Sequence, residues 1–253
     1  MKLLSYIQTA VAGCGLLLLT ACNGVFEDIY DEPPTPASGD LYVDASDWTQ
    51  WHYLDVHALH TAKVKDEQPA QTWQTLHVPA DDIGTFDADG SGIYTYWYDV
   101  FGEGLARHEL RSKYATARQP EPDQWDIAVH RNNVRTNGGA VFETTLTDLR
   151  EVGTAITYAA QPFVGDEWNE TDVWVVRDKM LSGLIGNQRI QVNSVLSRWL
   201  EVTLPPIPPA FSHNPHVFIV RFSDGTYAAL RLKSHLSPQN VKCCLTIEYK
   251  YPL

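Results

Sequence analysis

The side chain with the most distinctive coordination chemistry is that of Met180, the only methionine apart from the initiator. A thioether is a soft, neutral donor that can ligate a transition metal such as iron. An unbranched apolar side chain is also a common filler of irregular gaps in a core. On residue chemistry alone, core packing is the favoured interpretation of Met180 and metal ligation is the alternative.

Asp87, Asp89 and Ser91 place oxygen atoms at alternate positions, with Gly92 at the sixth place, as at the start of a calcium loop. The twelfth place holds Tyr98 instead of the bidentate glutamate, and a strand rather than a helix is predicted to follow. We therefore interpret this segment as a polar β-turn, with a calcium site as the less favoured alternative.

Two pairs of histidines have a spacing of three residues, His57 with His60 and His213 with His216. This spacing places two rings on one side of a helix, but both segments are predicted to be strand ends or loops. Zinc would need two further ligands, and no suitable cluster lies nearby in the sequence. We expect these histidines to be solvated or singly hydrogen-bonded.

No segment matches a Walker loop, a His-Glu-x-x-His zinc motif or a nucleophile elbow, so we expect a binding protein and not an enzyme. The formal net charge of −12 argues against nucleic acid or an anionic bilayer surface as a partner, because phosphates would be repelled.

The N-terminus has the pattern of an export signal. Lys2 precedes an apolar run that ends in four leucines, which predicts a secretory signal peptide over residues 1–21. The segment LTAC that ends at Cys22 resembles a bacterial lipobox, in which the cysteine thiol carries the lipid. Cys22 is therefore the predicted lipidation site, and the membrane is reached through this anchor only.

Residues 22–40 are acidic and proline-rich, which is typical of an extended tether. The acidic residues after Cys22 resemble the export signal of surface-exposed lipoproteins, and a plain solvated linker explains them nearly as well. Further along the chain, Cys243 and Cys244 are adjacent. Neighbours on a strand point to opposite faces, so we expect no disulfide between them.

The remaining residues, 41–253, predict one antiparallel all-β domain. Alternating apolar residues predict a C-terminal strand over 241–251, and Asp224-Gly225 predicts a hairpin between 217–222 and 227–232. Residues 190–200 carry apolar side chains at helical spacing and predict one short helix. Further strands are predicted at 51–56, 93–101, 125–129 and 140–142.

Several of these segments resemble the HmuY-like haem-binding lipoproteins, or hemophores, of Bacteroidetes. The resemblance is most specific at residues 125–142, WDIAVHRNNVRTNGGAVF, and covers most of the chain after residue 41. It continues at residues 199–201 (WLE), 205–209 (PPIPP), 217–232 and 247–252.

The resemblance implies a β-rich protein, anchored by lipid to the outer membrane at the cell surface, that takes up haem or a related tetrapyrrole. It further implies delivery of the haem to a TonB-dependent outer-membrane transporter. In such proteins two axial side chains hold the iron. The pocket must supply apolar walls for the flat macrocycle and donors for its propionates.

Carried over residue by residue, the resemblance aligns Met180 with the first axial methionine of the methionine-type relatives. The second axial position holds Leu204 and the next one Ile207, which have no lone pair and lie with Phe211 in the predicted pocket loop. Three arrangements stay open: iron bound by Met180 alone, iron bound also by His213 or His216, or a tetrapyrrole held mainly by burial.

Two further assignments accompany the resemblance. His130 lies in the most family-like segment, and we expect it to be structural; Arg131 or Arg135 could meet the propionates. The competing function is a surface β-sandwich lipoprotein that binds glycans or proteins without haem, since tryptophan and tyrosine rings stack on sugars.

Overall fold

The backbone is built mainly from antiparallel strands. The computed structural model describes residues 40–65, 73–85, 94–99, 109–203 and 209–253. The strands are β1 (Asp40–Asp44), β2 (Gln50–Leu54), β3 (Gln74–His77), β4 (Tyr94–Asp99), β5 (Glu109–Ala115), β6 (Ile127–His130), β7 (Asn133–Thr136), β8 (Ala140–Glu143), β9 (Val164–Gly165), β10 (Glu167–Asn169), β11 (Trp174–Val176), β12 (Leu184–Gln188), β13 (Ile190–Val192), β14 (Leu200–Thr203), β15 (Ala210–His213), β16 (Phe218–Arg221), β17 (Tyr227–Leu236) and β18 (Lys242–Lys250). The helices are α1 (Val56–Val64) and α2 (Ala155–Tyr158), with 3-10 turns η1 (Leu149–Glu151), η2 (Met180–Ser182) and η3 (Leu196–Trp199).

All strand pairings among the described residues are antiparallel, which confirms the predicted all-β fold. None of the helices in that part of the chain is long and apolar enough to span a bilayer.

The largest sheet has six strands in the order β1-β18-β17-β16-β8-β9. Its centre is the predicted hairpin, in which Phe218 pairs with Leu230 and Gly225 takes a φ of 87° in the turn. The apolar face of this sheet packs against α1 and against Trp199 of η3, and these residues form the main core. Apolar burial of this extent is the dominant stabilising force of the domain.

A second sheet has the order β3-β2-β6-β7. The two-residue turn between β6 and β7 follows the pairing of His130 with Asn133, and Arg131 in this turn has a φ of 55°. Left-handed turn residues of this kind match the twist of a tight hairpin. The turn therefore fixes Arg131 at the end of the sheet.

A third sheet has the order β11-β12-β4-β5. Two further pairs, β10-β13 and β14-β15, form separate two-stranded sheets. Strand β4 carries the buried rings of Tyr96, Trp97 and Tyr98. In the β14-β15 hairpin Thr203 pairs with Ala210, so the hairpin connection begins at residue 204.

Residues 190–200 differ from the predicted helix. They form β13, a turn and the 3-10 helix η3. The fully buried Asn193 explains the break, because its Oδ1 accepts a hydrogen bond from the backbone N–H of Leu196 at 2.9 Å and closes the turn. The apolar residues that have helical spacing are all buried. They lie on strands and turns, however, and not on one face of a helix.

Residues 56–64 also differ, since the predicted strand 51–56 ends at Leu54 and a helix follows. Asp55 caps this helix by accepting a hydrogen bond from the N–H of Ala58 at 2.7 Å. His57 and His60 therefore lie on a helix, where we had predicted a strand end or loop.

The C-terminal strand departs from strict alternation at its two cysteines. Cys243 and Cys244 are both free, as expected. Both are also buried, although strict alternation would place Cys244 on the wet face. Cys243 has a φ of 69°, which rotates the backbone out of the regular pleat. The Cys244 thiol donates to Asp44 Oδ1 at 3.5 Å.

Candidate functional site

Met180 lies at the start of η2, the turn that connects β11 with β12. Its N–H donates to the carbonyl oxygen of Arg177 at 2.9 Å, and Gly183 closes the turn with a φ of 87°. The Met180 side chain is half-buried and packs against an aromatic cluster. The thioether is therefore held at the edge of the core and not inside it.

The aromatic cluster beside Met180 consists of rings from three regions of the chain. Trp48 stacks on Trp174 with ring centres 6.0 Å apart, and Tyr96 stacks on Tyr98 at the same distance. Nε1 of Trp174 donates to the carbonyl oxygen of Thr171 at 2.9 Å, which fixes the orientation of that indole. Burial raises the pKa of Tyr96 to about 12, so its hydroxyl stays protonated at neutral pH.

A cavity of about 420 Å³ opens on this cluster, and we call it the Trp174 cavity. Trp174, Val192, Leu200 and Val202 provide its apolar wall. Thr203 also lines it, so the cavity reaches the start of the β14-β15 connection. Met180 packs on the cluster that contains Trp174, with Val202 also packed against it, but Met180 is not among the described lining residues of the cavity.

The Trp174 cavity is also lined by charged side chains, namely Arg131, Arg198, Asp172 and Glu201. The guanidinium carbon of Arg131 lies 4.5 Å from the Trp48 ring centre, and its Nη1 donates to the carbonyl oxygen of Ser46 at 2.9 Å. Arg198 pairs with Glu143 at 2.8 Å. An arginine fixed beside an aromatic wall suits a ligand with a flat apolar body and a carboxylate edge.

The two histidine candidates make other contacts. Nε2 of His213 lies 2.6 Å from the carbonyl oxygen of Leu232, and Nδ1 of His216 lies 2.8 Å from Glu143 Oε1. Among the described residues, neither histidine lines the Trp174 cavity. Each ring is therefore engaged with a residue that does not line the cavity.

Phe211 lies on β15 opposite Val202. Its ring is parallel to that of His235 at 6.1 Å, and Nζ of Lys242 lies 4.4 Å from its centre. Phe211 packs on the main core and, within the described part of the chain, is not a lining residue of the Trp174 cavity.

The remaining predicted site residues lie outside the described residues. They are Cys22, Asp87, Asp89, Ser91, Leu204 and Ile207.

His130 is fully buried, and its Nε2 lies 2.8 Å from the carbonyl oxygen of Trp48. Burial lowers the pKa of His130 to about 4, so the ring is neutral at physiological pH. A neutral, buried imidazole that joins β6 to the backbone of Trp48 fits the structural role expected for it.

An ionic cluster around His57 was missed from the sequence, because its members are far apart in the chain. Nδ1 of His57 lies 2.8 Å from Asp126 Oδ2, and Nε2 lies 3.0 Å from Asp224 Oδ2. Ligand atoms of Asp55, His57 and Asp126 lie within 4.8 Å of one another, which is close enough to hold a metal ion. However, Asp126 Oδ2 already accepts from the N–H groups of Val56 and His57, so the carboxylate serves the helix terminus.

The Trp48, Trp174, Tyr96 and Tyr98 cluster was also missed. The sequence signal was the aromatic run in β4, which we interpreted only as a strand. Its partners come from distant segments, so their convergence follows from the tertiary fold.

Comparisons of the sequence and of the structure with known proteins agree on one protein family. A sequence model of the family described as HmuY protein matches residues 47–249. A candidate HmuY-like haem-binding protein from Bacteroides vulgatus is 26% identical, with a TM-score of 0.57, and the match covers 88% of this chain and 99% of that chain. A candidate lipoprotein from Bacteroides fragilis is 27% identical, with the same TM-score, covering 85% and 89%.

The apo form of an HmuY analogue from Tannerella forsythia shares the fold, with a TM-score of 0.59, 19% identity and coverage of 88% and 100%. No curated protein matches this chain.

Proposed function

Because the chain belongs to the HmuY family, we propose that it binds haem, or a related tetrapyrrole, in the Trp174 cavity. The observation that carries this proposal is that Trp174, a wall residue of the cavity, belongs to the cluster on which the half-buried Met180 packs. The 26% identical Bacteroides vulgatus protein is itself described as HmuY-like and haem-binding, which supports the ligand class.

The residues around the cavity fit the chemistry of a tetrapyrrole. Trp174 and Val202 offer apolar surface to the macrocycle, and burial of such surface contributes roughly 25 cal/mol per Å². Arg131 supplies guanidinium donors for a propionate. Met180 supplies the soft donor that haem iron accepts.

Met180 is the proposed axial ligand of the iron, and no histidine is proposed as the second axial ligand. His213 would have to leave the Leu232 carbonyl oxygen, and His216 would have to leave Glu143, before either could reach iron. One thioether together with burial of the macrocycle therefore accounts for binding, with Arg131 as the carboxylate partner.

The cellular part of the proposal follows from the N-terminus and from the family. Cys22 carries a lipid anchor, residues 22–40 form the tether, and the domain lies at the surface of the outer membrane. The bound haem is delivered to a TonB-dependent transporter. The Bacteroides fragilis relative is described as a candidate lipoprotein, which supports the anchor.

A haem titration followed by absorbance tests the ligand and the ligand residue together. Wild-type protein should shift the Soret band and show sharp bands on reduction, and Met180→Ala should weaken binding by about tenfold or more, since an iron ligand is lost. Leu181→Ala is the matched control, because Leu181 is the next residue and is fully exposed. An unshifted spectrum for the wild-type protein would overturn the haem assignment.

A further inference from the structure

A second cleft, of about 630 Å³, shares no described lining residue with the Trp174 cavity. It is lined by residues of β10 and β13, by the segment around Glu121 and by the turn at Gly138. We call it the Trp168 cleft. It is separate from the proposed haem site and is not explained by haem binding.

Trp168 presents an aromatic face in this cleft. It pairs with Gln191 across β10 and β13, so the indole and the amide project from the same side of the strand pair. The guanidinium carbon of Arg189 lies 4.0 Å from the Trp168 ring centre, and its Nε donates to Glu170 at 3.0 Å. The Arg189 guanidinium packs on the ring, and Trp168 is nevertheless 45% exposed.

Polar groups surround this ring. The exposed amide of Gln191 offers both a donor and an acceptor. Asn137 donates through Nδ2 to the carbonyl oxygen of Trp125 at 2.9 Å. This bond fixes the orientation of the amide, whose Oδ1 is an acceptor. Gly138, with a φ of 71°, leaves the adjoining floor without a side chain.

Arg135 forms part of the wall and is only 8% exposed. Its guanidinium carbon lies 5.5 Å and 5.2 Å from the ring centres of Trp51 and Trp125, and Nη2 pairs with Glu121 Oε1 at 2.6 Å. Nε and Nη1 have no acceptor among the described residues. Buried donors without acceptors are rare, and each one calls for an explanation.

The charges in the cleft do not favour a polyanion. Two carboxylates, Glu121 and Asp166, line it together with Arg118 and Arg135, so the charged groups balance. A phosphate-rich ligand would face both carboxylates. The balance favours a neutral ligand with an apolar face and several hydroxyl groups.

We propose that the Trp168 cleft binds a neutral pyranose sugar. The C–H face of the sugar stacks on Trp168, and its hydroxyls exchange hydrogen bonds with Gln191, Asn137 and Glu121. An aromatic face bordered by planar polar side chains matches both chemical surfaces of such a ring. This site gives the chain a second ligand class, independent of the tetrapyrrole.

The test is saturation-transfer NMR and calorimetry on the full chain with glucose, galactose, mannose and N-acetylglucosamine. We expect at least one of the four to bind with a Kd of about 1 mM, as befits a ligand of so few atoms. Trp168→Ala should lower that affinity by about tenfold, and Gln191→Ala should also weaken it.

Two controls separate this result from unfolding and from the haem site. Trp168→Phe keeps an aromatic face and should retain part of the affinity, and Met180→Ala should bind the sugar as the wild-type protein does. The proposal is overturned if none of the four sugars binds, or if the Trp168→Phe and Gln191→Ala variants both bind sugar with unchanged affinity.

Discussion

At the scale of single residues, burial and charge act in opposite directions on the histidines. His130 is fully buried with a backbone carbonyl as partner, so burial lowers its pKa to about 4 and the ring stays neutral. Partial burial of His57 also disfavours the charged form, but hydrogen bonds and charges from Asp126 and Asp224 outweigh it and raise the pKa of His57. His57 thus links the start of α1 to the β16-β17 turn, and the two carboxylates favour its charged form.

This difference predicts a pH-dependent stability at His57. A raised folded-state pKa gives stabilisation that is fully present below the unfolded pKa of about 6.5 and is lost as the pH rises through the folded value. His57→Gln should therefore be less stable than the wild-type protein near pH 5.5, and the gap should shrink by pH 8. Urea unfolding at both pH values measures it.

His60→Gln is the control, because that ring contacts Tyr251 and no carboxylate bonds it within the described residues. A gap between the wild-type protein and His57→Gln that stays constant or widens toward pH 8 would contradict a raised folded-state pKa of His57.

At the scale of elements, local sequence patterns predicted the strands better than the helices. The β16-β17 hairpin was predictable because Asp224-Gly225 is a local turn signal. The helix over residues 56–64 was missed: Asp55 is a local cap signal, but the first turn is also held by Asp126, which is far away in the sequence. The same holds for the site: Met180 stood out by its chemistry, but the aromatic cluster around it depends on tertiary packing.

The turn that carries Met180 should depend on Gly183. Its φ of 87° is a conformation in which a Cβ is strained, so Gly183→Ala should cost about 1 kcal/mol of stability and should weaken haem binding by displacing Met180. Chemical unfolding and the haem titration measure the two effects.

Gly165→Ala is the matched control for Gly183→Ala. The φ of Gly165 is not left-handed, and an added Cβ would meet its nearest atom at an ordinary 3.8 Å. Equal stability and equal haem affinity of Gly183→Ala and the wild-type protein would show that the turn does not position Met180.

At the scale of the whole molecule, two clefts of different character lie in one antiparallel scaffold. The Trp174 cavity joins an apolar wall to polar and charged side chains, whereas the Trp168 cleft joins an exposed ring to balanced charges. A shared fold does not decide what such sites bind; the side chains in them do. The family match defines the scaffold, and the ligands are inferred from the residues.

The proposed anchor predicts the location of the whole protein. Cys22→Ser should move the chain from the membrane fraction to the soluble fraction, because the acyl chains supply its attachment. Cys14→Ser, which changes a residue of the predicted leader, should leave the chain in the membrane fraction. Recovery of Cys22→Ser in the membranes would contradict the lipid anchor.

Magnetic circular dichroism of the ferric haem complex tests the central proposal most directly, because a bond between a thioether sulfur and iron produces its own charge-transfer band. We predict this band for the wild-type protein and its loss in Met180→Leu, which keeps the volume of the side chain and removes the sulfur. Identical spectra for the two proteins would show that Met180 does not ligate the iron.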